Sequence, residues 1–169
     1  MTVRKTKLPD DSGLRRFVEA GDFLDCYTVD TKQTELSIAE ITQRIFIGAP
    51  RWVELLLALR DLGVRPFGLK TTARLPTDNS IRKSVQPGEA VSFFCVHSIS
   101  DNEIIVGEDD KHLDFRISVF RASRNSSKIS LATWVHTHNR LGRIYLRMIL
   151  RFHVLIVNAR LAALPRELA

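Results

Sequence analysis

The sequence predicts an α+β fold, an antiparallel sheet curved around one long C-terminal helix. Three observations carry that prediction. From Ala90 to His138 apolar and polar residues alternate with a period of two, the pattern of half-buried strands. The breaks in that pattern are short, so consecutive strands must be antiparallel neighbours. From Leu141 to Leu164 the period turns helical and stays so.

With 169 residues, 44% hydrophobic and 26% charged, the chain suits one domain with a sizeable core, which excludes an intrinsically disordered chain. Residues 1–20 carry few apolar anchors and read as a loose lead-in, leaving 21–169 as the single domain. Asp22 to Asp30 reads as a first strand, with Phe23, Tyr27, Thr28 and Val29 as β-formers. Leu36-Ser37-Ile38-Ala39-Glu40-Ile41 is a helix start: Ser37 can cap the amide of Glu40 and Glu40 can reach back to Ser37. Leu36 and Ile41 are placed as a hydrophobic staple. That helix breaks at Gly48-Ala49-Pro50. Pro50 suits the first position of a second helix, in which Trp52, Leu55, Leu56, Leu59 and Leu62 share a face up to Gly63. Two short helices in a V are therefore expected. Residues 64–90 contain one short strand candidate, Phe67 to Thr72, and much turn chemistry; a stretch this irregular often covers a site.

Four strands follow, Val91 to Ser98, Glu103 to Asp109, His112 to Ala122 and Lys128 to His138. In the third, Leu113, Phe115, Ile117 and Val119 share one face while His112, Asp114, Arg116 and Ser118 share the other. In the fourth, Ile129, Leu131, Thr133 and Val135 oppose Ser130, Ala132, Trp134, His136 and His138. On the final helix Arg140, Arg143, Arg147, Arg151 and Asn158 fall within about 80° of arc and form a solvent stripe. His153 and Arg160 lie together on the opposite, otherwise apolar face. The arginines interrupt the helix before any uncharged stretch reaches the ~18 residues of a membrane span.

Charge is divided unevenly: residues 116–169 hold ten basic groups and one acid, Glu167, within a net charge of +6. The basic end admits nucleic acid or an anionic membrane surface as a partner. Only Tyr145 and Phe152 fall among the helix arginines, too few for the stacking of a single-strand groove, so nucleic acid is not expected, and peripheral membrane contact is the alternative that stays open. Two cysteines, Cys26 and Cys95, and a basic N-terminus without an apolar signal core point to the cytoplasm.

The order of elements is similar to the START-like helix-grip (SRPBCC) superfamily. More narrowly, the chain resembles the uncharacterised domain-of-unknown-function family DUF2867 over about residues 20–164. The resemblance rests on Ala49-Pro50-Arg51-Trp52, Leu59-Arg60-Asp61, Phe67-Gly68-Leu69-Lys70 and the run from Gly107 to Arg116. It rests also on Thr133 to Asn139, on Leu141 to Tyr145, and on Phe152-His153, before which the pattern has a proline and this chain has Arg151. The superfamily resemblance implies an apolar cavity between sheet and helix that holds lipids, sterols or other apolar ligands.

From these readings the expected function is binding of an apolar or amphipathic small molecule in that cavity. Phe93, Phe115, Ile117, Leu131 and Val135 would line it, with Val91, Leu113 and Ile129 beside them, and His153 and Arg160 would hold the polar end. A second polar cluster, Asp109, Asp110, His112, Asp114, Arg116, His136 and His138, is the alternative seat of chemistry. With His153 it would serve an enzyme of cyclase or hydratase type that moves protons. His136 and His138 are spaced as metal ligands can be, but they belong to the face opposite the apolar set, and Asp109-Asp110 reads as turn chemistry. No metal and no cofactor is expected. The sequence leaves the ligand, the oligomeric state and the choice between binder and enzyme open.

Overall fold

The computed structural model describes residues 2–47, 81–92 and 94–168. Among these, seven strands make one antiparallel sheet: β1 (Arg4–Lys5), β2 (Phe23–Asp30), β3 (Ala90–Val91), β4 (Phe94–Ile99), β5 (Glu103–Asp109), β6 (Leu113–Phe120) and β7 (Lys128–Thr137). Their order across the sheet is β1-β2-β7-β6-β5-β4-β3. From β4 to β7 the meander follows the period of two, but the single strand expected from Val91 to Ser98 is broken: Ser92 takes a φ of 56°, and β3 folds back antiparallel on β4 with Val91 opposite Phe94. β2 returns to pair with β7 over its whole length, Phe23 opposite Val135 through Asp30 opposite Lys128. The helix proposed from Pro50, the strand at 67–72 and Phe93 lie outside the described residues.

Helix α1 (Ile38–Phe46) starts at the expected capping box: Ser37 accepts from the amide of Glu40, and the Glu40 carboxylate accepts from the amide of Ser37. Helix α2 spans Arg140–Glu167. Asn139 caps it by accepting from the amide of Gly142 and donates to the carbonyl of Lys111, which docks the helix start on the β5–β6 turn. A Cβ at Gly142 would stand 2.1 Å from the carbonyl oxygen of His112, so this approach requires glycine. The helix runs unbroken across Arg151 and passes Pro165, three residues further than the apolar period suggests. A proline ring fits helical φ, and at Pro165 the helix forgoes one i→i−4 hydrogen bond in its last turn.

Strand alternation gives the sheet two apolar faces. On the inner face Tyr27, Val29, Ile104, Val106, Val119, Ile129 and Leu131 pack against Ile38, Ile41 and Ile45 of α1 and Val157, Leu161 and Leu164 of α2. A smaller cluster of Leu113, Val135 and Tyr145 closes the same layer nearer the start of α2. On the outer face Cys26, Ile105, Ala132 and Trp134 are buried by Leu8 and Leu14.

That outer cover comes from the segment read as a loose lead-in, which is instead well packed. β1 pairs with β2, and a 3-10 helix at Gly13–Phe17 lies on the sheet with Leu14 fully buried. Its anchor is Glu103, whose carboxylate accepts from the Ser12 and Ser118 hydroxyls and from the amide of Gly13 at 2.7 Å. A few apolar residues suffice because this buried carboxylate is fully engaged by distant donors.

Candidate functional site

Strand β2 presents Phe23, Asp25, Tyr27 and Val29 to α2, an acid in an otherwise apolar register. Asp25 is buried, its side chain only 2% exposed, and His153 of α2 meets it from above with Nε2 3.2 and 3.3 Å from the two carboxylate oxygens. Phe23 sets its ring edge-on to His153, with centroids 6.2 Å apart. The phenol of Tyr27 is pushed above its ordinary pKa by burial first, then by the Asp25 charge and a hydrogen bond to it. Directly opposite Asp25 on β7 stands Thr133, and cross-strand partners share a face. Thr133 is buried. Asp25, Tyr27, Thr133 and His153 thus form a polar patch on the inner face, in which the Thr133 hydroxyl is without a partner among the described residues.

The walls near that patch are apolar and only partly covered. Thr133 opposes Ile117, and Val135 lies between Phe23 and Phe115. Phe94 packs edge-on against Phe115 at 5.6 Å and against Phe46 at 5.1 Å. Phe23, Phe46, Phe94, Phe115, Ile117 and Ile149 all remain half-buried. Of the expected lining, Phe115 and Ile117 therefore border the patch with accessible surface, Val135 is buried beside it, and Leu131 lies deep in the core. The arrangement sets one small polar patch among apolar side chains. It also holds an imidazole against a buried carboxylate, the geometry that orients a histidine for proton transfer.

Arg160 does not join this patch. It is buried as its helix face requires, but its guanidinium donates to the main-chain carbonyls of Arg44, Ile45 and Ile47 at the end of α1 and faces Glu167 at 3.5 Å. It closes the C-terminal end of one helix with the side chain of another. Because α2 continues past Pro165, Glu167 comes to the same face two turns on.

The second cluster is dispersed along the outer face, and its members are engaged separately. Arg116, buried, pairs with Asp109 at 2.6 Å, and its guanidinium stacks over Phe17 at 5.3 Å. His138 pairs with Asp114 at 3.1 Å, His112 with the Asn139 amide at 3.0 Å, and Asp110 accepts from the amide of Lys111 in the turn. His136 meets Asp22 at 2.7 Å, and Asp22 also accepts from the Trp134 indole and the Glu19 amide. Burial raises the Asp22 pKa, but the bonds from Glu19, His136 and Trp134 outweigh it and hold the carboxyl below its ordinary value. Among the described residues no group of three His, Cys, Asp or Glu side chains is arranged to hold a metal ion.

Two shallow cavities are found among the described residues, and the first of them is lined in part by Asp25. One of about 360 Å³ lies at the sheet edge between β1 and β2, lined by Lys5, Lys7, Leu8, Arg15, Leu24 and Cys26 among others. The other, about 250 Å³, is lined by Arg16, Phe17, Glu19, Asp114, Trp134 and His136. Burial, with the Asp25 charge adding to it, pushes the Cys26 thiol up to about 12, so it is no thiolate nucleophile near neutral pH.

Over residues 18–160 the sequence matches the family described as Protein of unknown function (DUF2867). The chain belongs to that family. No curated protein and no solved structure gives a significant match. The DUF2867 match contains all four groups of the inner patch and leaves out β1 and the 3-10 helix that cover the outer face.

Within this DUF2867 chain, Asp25 is the site residue that sequence reading passes over. Its signal is an acid at the period-two positions of Phe23, Tyr27 and Val29, masked because the intervening Leu24 and Cys26 are apolar too. Thr133 is read as one of the apolar set, which places it on the correct face but not in a polar role.

Proposed function

We propose that this DUF2867 chain is a START-like helix-grip domain that binds a small apolar or amphipathic molecule between the inner sheet face and α2. The single observation that supports the reading most is the Thr133 hydroxyl, buried without a partner among the described residues beside the Asp25–His153 pair. An unpaired buried hydroxyl is costly, and a bound polar group would satisfy it. The half-buried rings of Phe23, Phe94 and Phe115 supply the apolar surroundings that such pockets combine with few polar groups. A neutral hydrogen-bonding head, such as an alcohol or a carbonyl, suits this patch better than a carboxylate, which would stand next to the Asp25 charge.

A second reading is enzymatic, and the Asp25–His153 contact favours it. The contact uses Nε2 and leaves Nδ1 as the other ring nitrogen, so a bound molecule could exchange a proton with an imidazole already oriented by Asp25. Native mass spectrometry of the purified protein with medium-chain alcohols and ketones separates the readings. A stoichiometric adduct of unchanged ligand mass that weakens in Thr133→Val and His153→Phe supports binding, and a His153-dependent change in ligand mass supports chemistry. Absence of any adduct with folded protein contradicts both.

A further inference from the structure

The first four turns of α2 carry two parallel stripes whose chemistry the inner patch does not use. Ile144, Met148, Phe152 and Leu155 are exposed at 56%, 59%, 46% and 58%, at helical spacings of four, four and three residues. Alongside them run Arg140, Arg143, Arg147 and Arg151, all exposed. Between Arg140 and Arg166 the helix contains no acid. Exposed large side chains are otherwise few among the described residues, Val18 and Ile81 being the others away from α2, so this ridge is concentrated rather than scattered.

We propose that this face of α2 is a peripheral docking surface for an anionic phospholipid membrane, with the helix lying in the plane of the interface. Arginines beside an apolar ridge match the two layers they would meet, since guanidiniums reach lipid phosphates while the ridge enters the acyl boundary. α2 is long and apolar enough to cross a membrane by length and composition alone. Spanning is opposed by its second half, where Val157, Arg160, Leu161 and Leu164 are locked into the core against the sheet and α1. Insertion across a bilayer would require unpacking the domain, whereas docking in the interface plane leaves that packing intact. A second copy is the poorer occupant, because this face offers no carboxylate to the other copy's arginines.

The test is co-sedimentation of the full chain with phosphatidylcholine vesicles, with and without phosphatidylserine, together with its mass in solution. Wild type is expected to bind the phosphatidylserine vesicles preferentially, and more weakly as salt rises. Arg143→Gln with Arg147→Gln should lower that affinity about thirtyfold, at ~1 kcal/mol per basic residue near the surface. Met148→Gln with Leu155→Gln should also weaken it, and because all four side chains are exposed, circular dichroism should stay unchanged in both. Binding indifferent to phosphatidylserine, no binding by folded protein, or a lipid-free dimer dissolved by Leu155→Gln would each overturn the proposal.

Discussion

A buried hydroxyl without a partner costs about 1–3 kcal/mol, and Thr133 carries one beside Asp25. Thr133→Val keeps the shape and removes the unsatisfied group. It is expected to raise the unfolding free energy by about 1 kcal/mol in urea while weakening ligand binding. A variant that loses stability would mean that the hydroxyl already has a structural partner. Arg160 predicts the opposite outcome. Arg160→Met strands the carbonyls of Arg44, Ile45 and Ile47, so a loss of about 3 kcal/mol is expected in the same measurement. An unchanged midpoint would show that water replaces the guanidinium at no cost. Asp22 gives the pH dependence. Its folded pKa lies below the ordinary value of 3.8, so the stability it contributes is present above that value and lost as pH falls through the folded one. His136 is the titratable side chain that faces it, with Nδ1 2.7 Å from the carboxylate. Urea titrations between about pH 6 and pH 2 should show wild type losing its advantage over Asp22→Asn at the acid end. A constant difference across that range would remove Asp22 from the acid transition.

At the scale of elements, the 3-10 helix at Gly13–Phe17 is held by one apolar plug and one carboxylate. Leu14→Ala empties a fully buried position against Ile105 and Trp134, for which a loss of about 3 kcal/mol is expected. Fluorescence of Trp134 during unfolding would report it, and a loss near zero would mean that the segment can leave the sheet freely. The same segment marks where sequence reading ends. β2, the capping box at Ser37, the strands β5 to β7 and α2 are legible because their signals are local: a period, a cap, a turn residue. The N-terminal cover is not, since its anchor joins Ser12 to Glu103 and Ser118 across most of the chain, and Leu8, Leu14 and Phe17 show no period. The Arg160 contact fails for the same reason. Its helix face is legible, whereas its partners are main-chain carbonyls of α1, which no residue type announces.

For the whole molecule, the sheet uses both faces, and the two differ in kind. The outer face spends its polar residues on paired contacts, Asp22 with His136, Asp114 with His138, Asp109 with Arg116, beneath or beside the N-terminal cover. The inner face is mostly apolar and carries the patch where β2, β7 and α2 bring Asp25, Tyr27, Thr133 and His153 together. The position of His153 on an inward helix face is legible in sequence, but the carboxylate that meets it comes from a strand more than a hundred residues away. The most direct test of binding at that patch is a nuclear magnetic resonance titration with a medium-chain alcohol, following the His153 ring and the Thr133 and Phe115 amides. The account predicts saturable shifts centred on these groups and weakened by Thr133→Val. Shifts confined to Trp134 and His136 on the outer face, or no saturable shift at all, would contradict it.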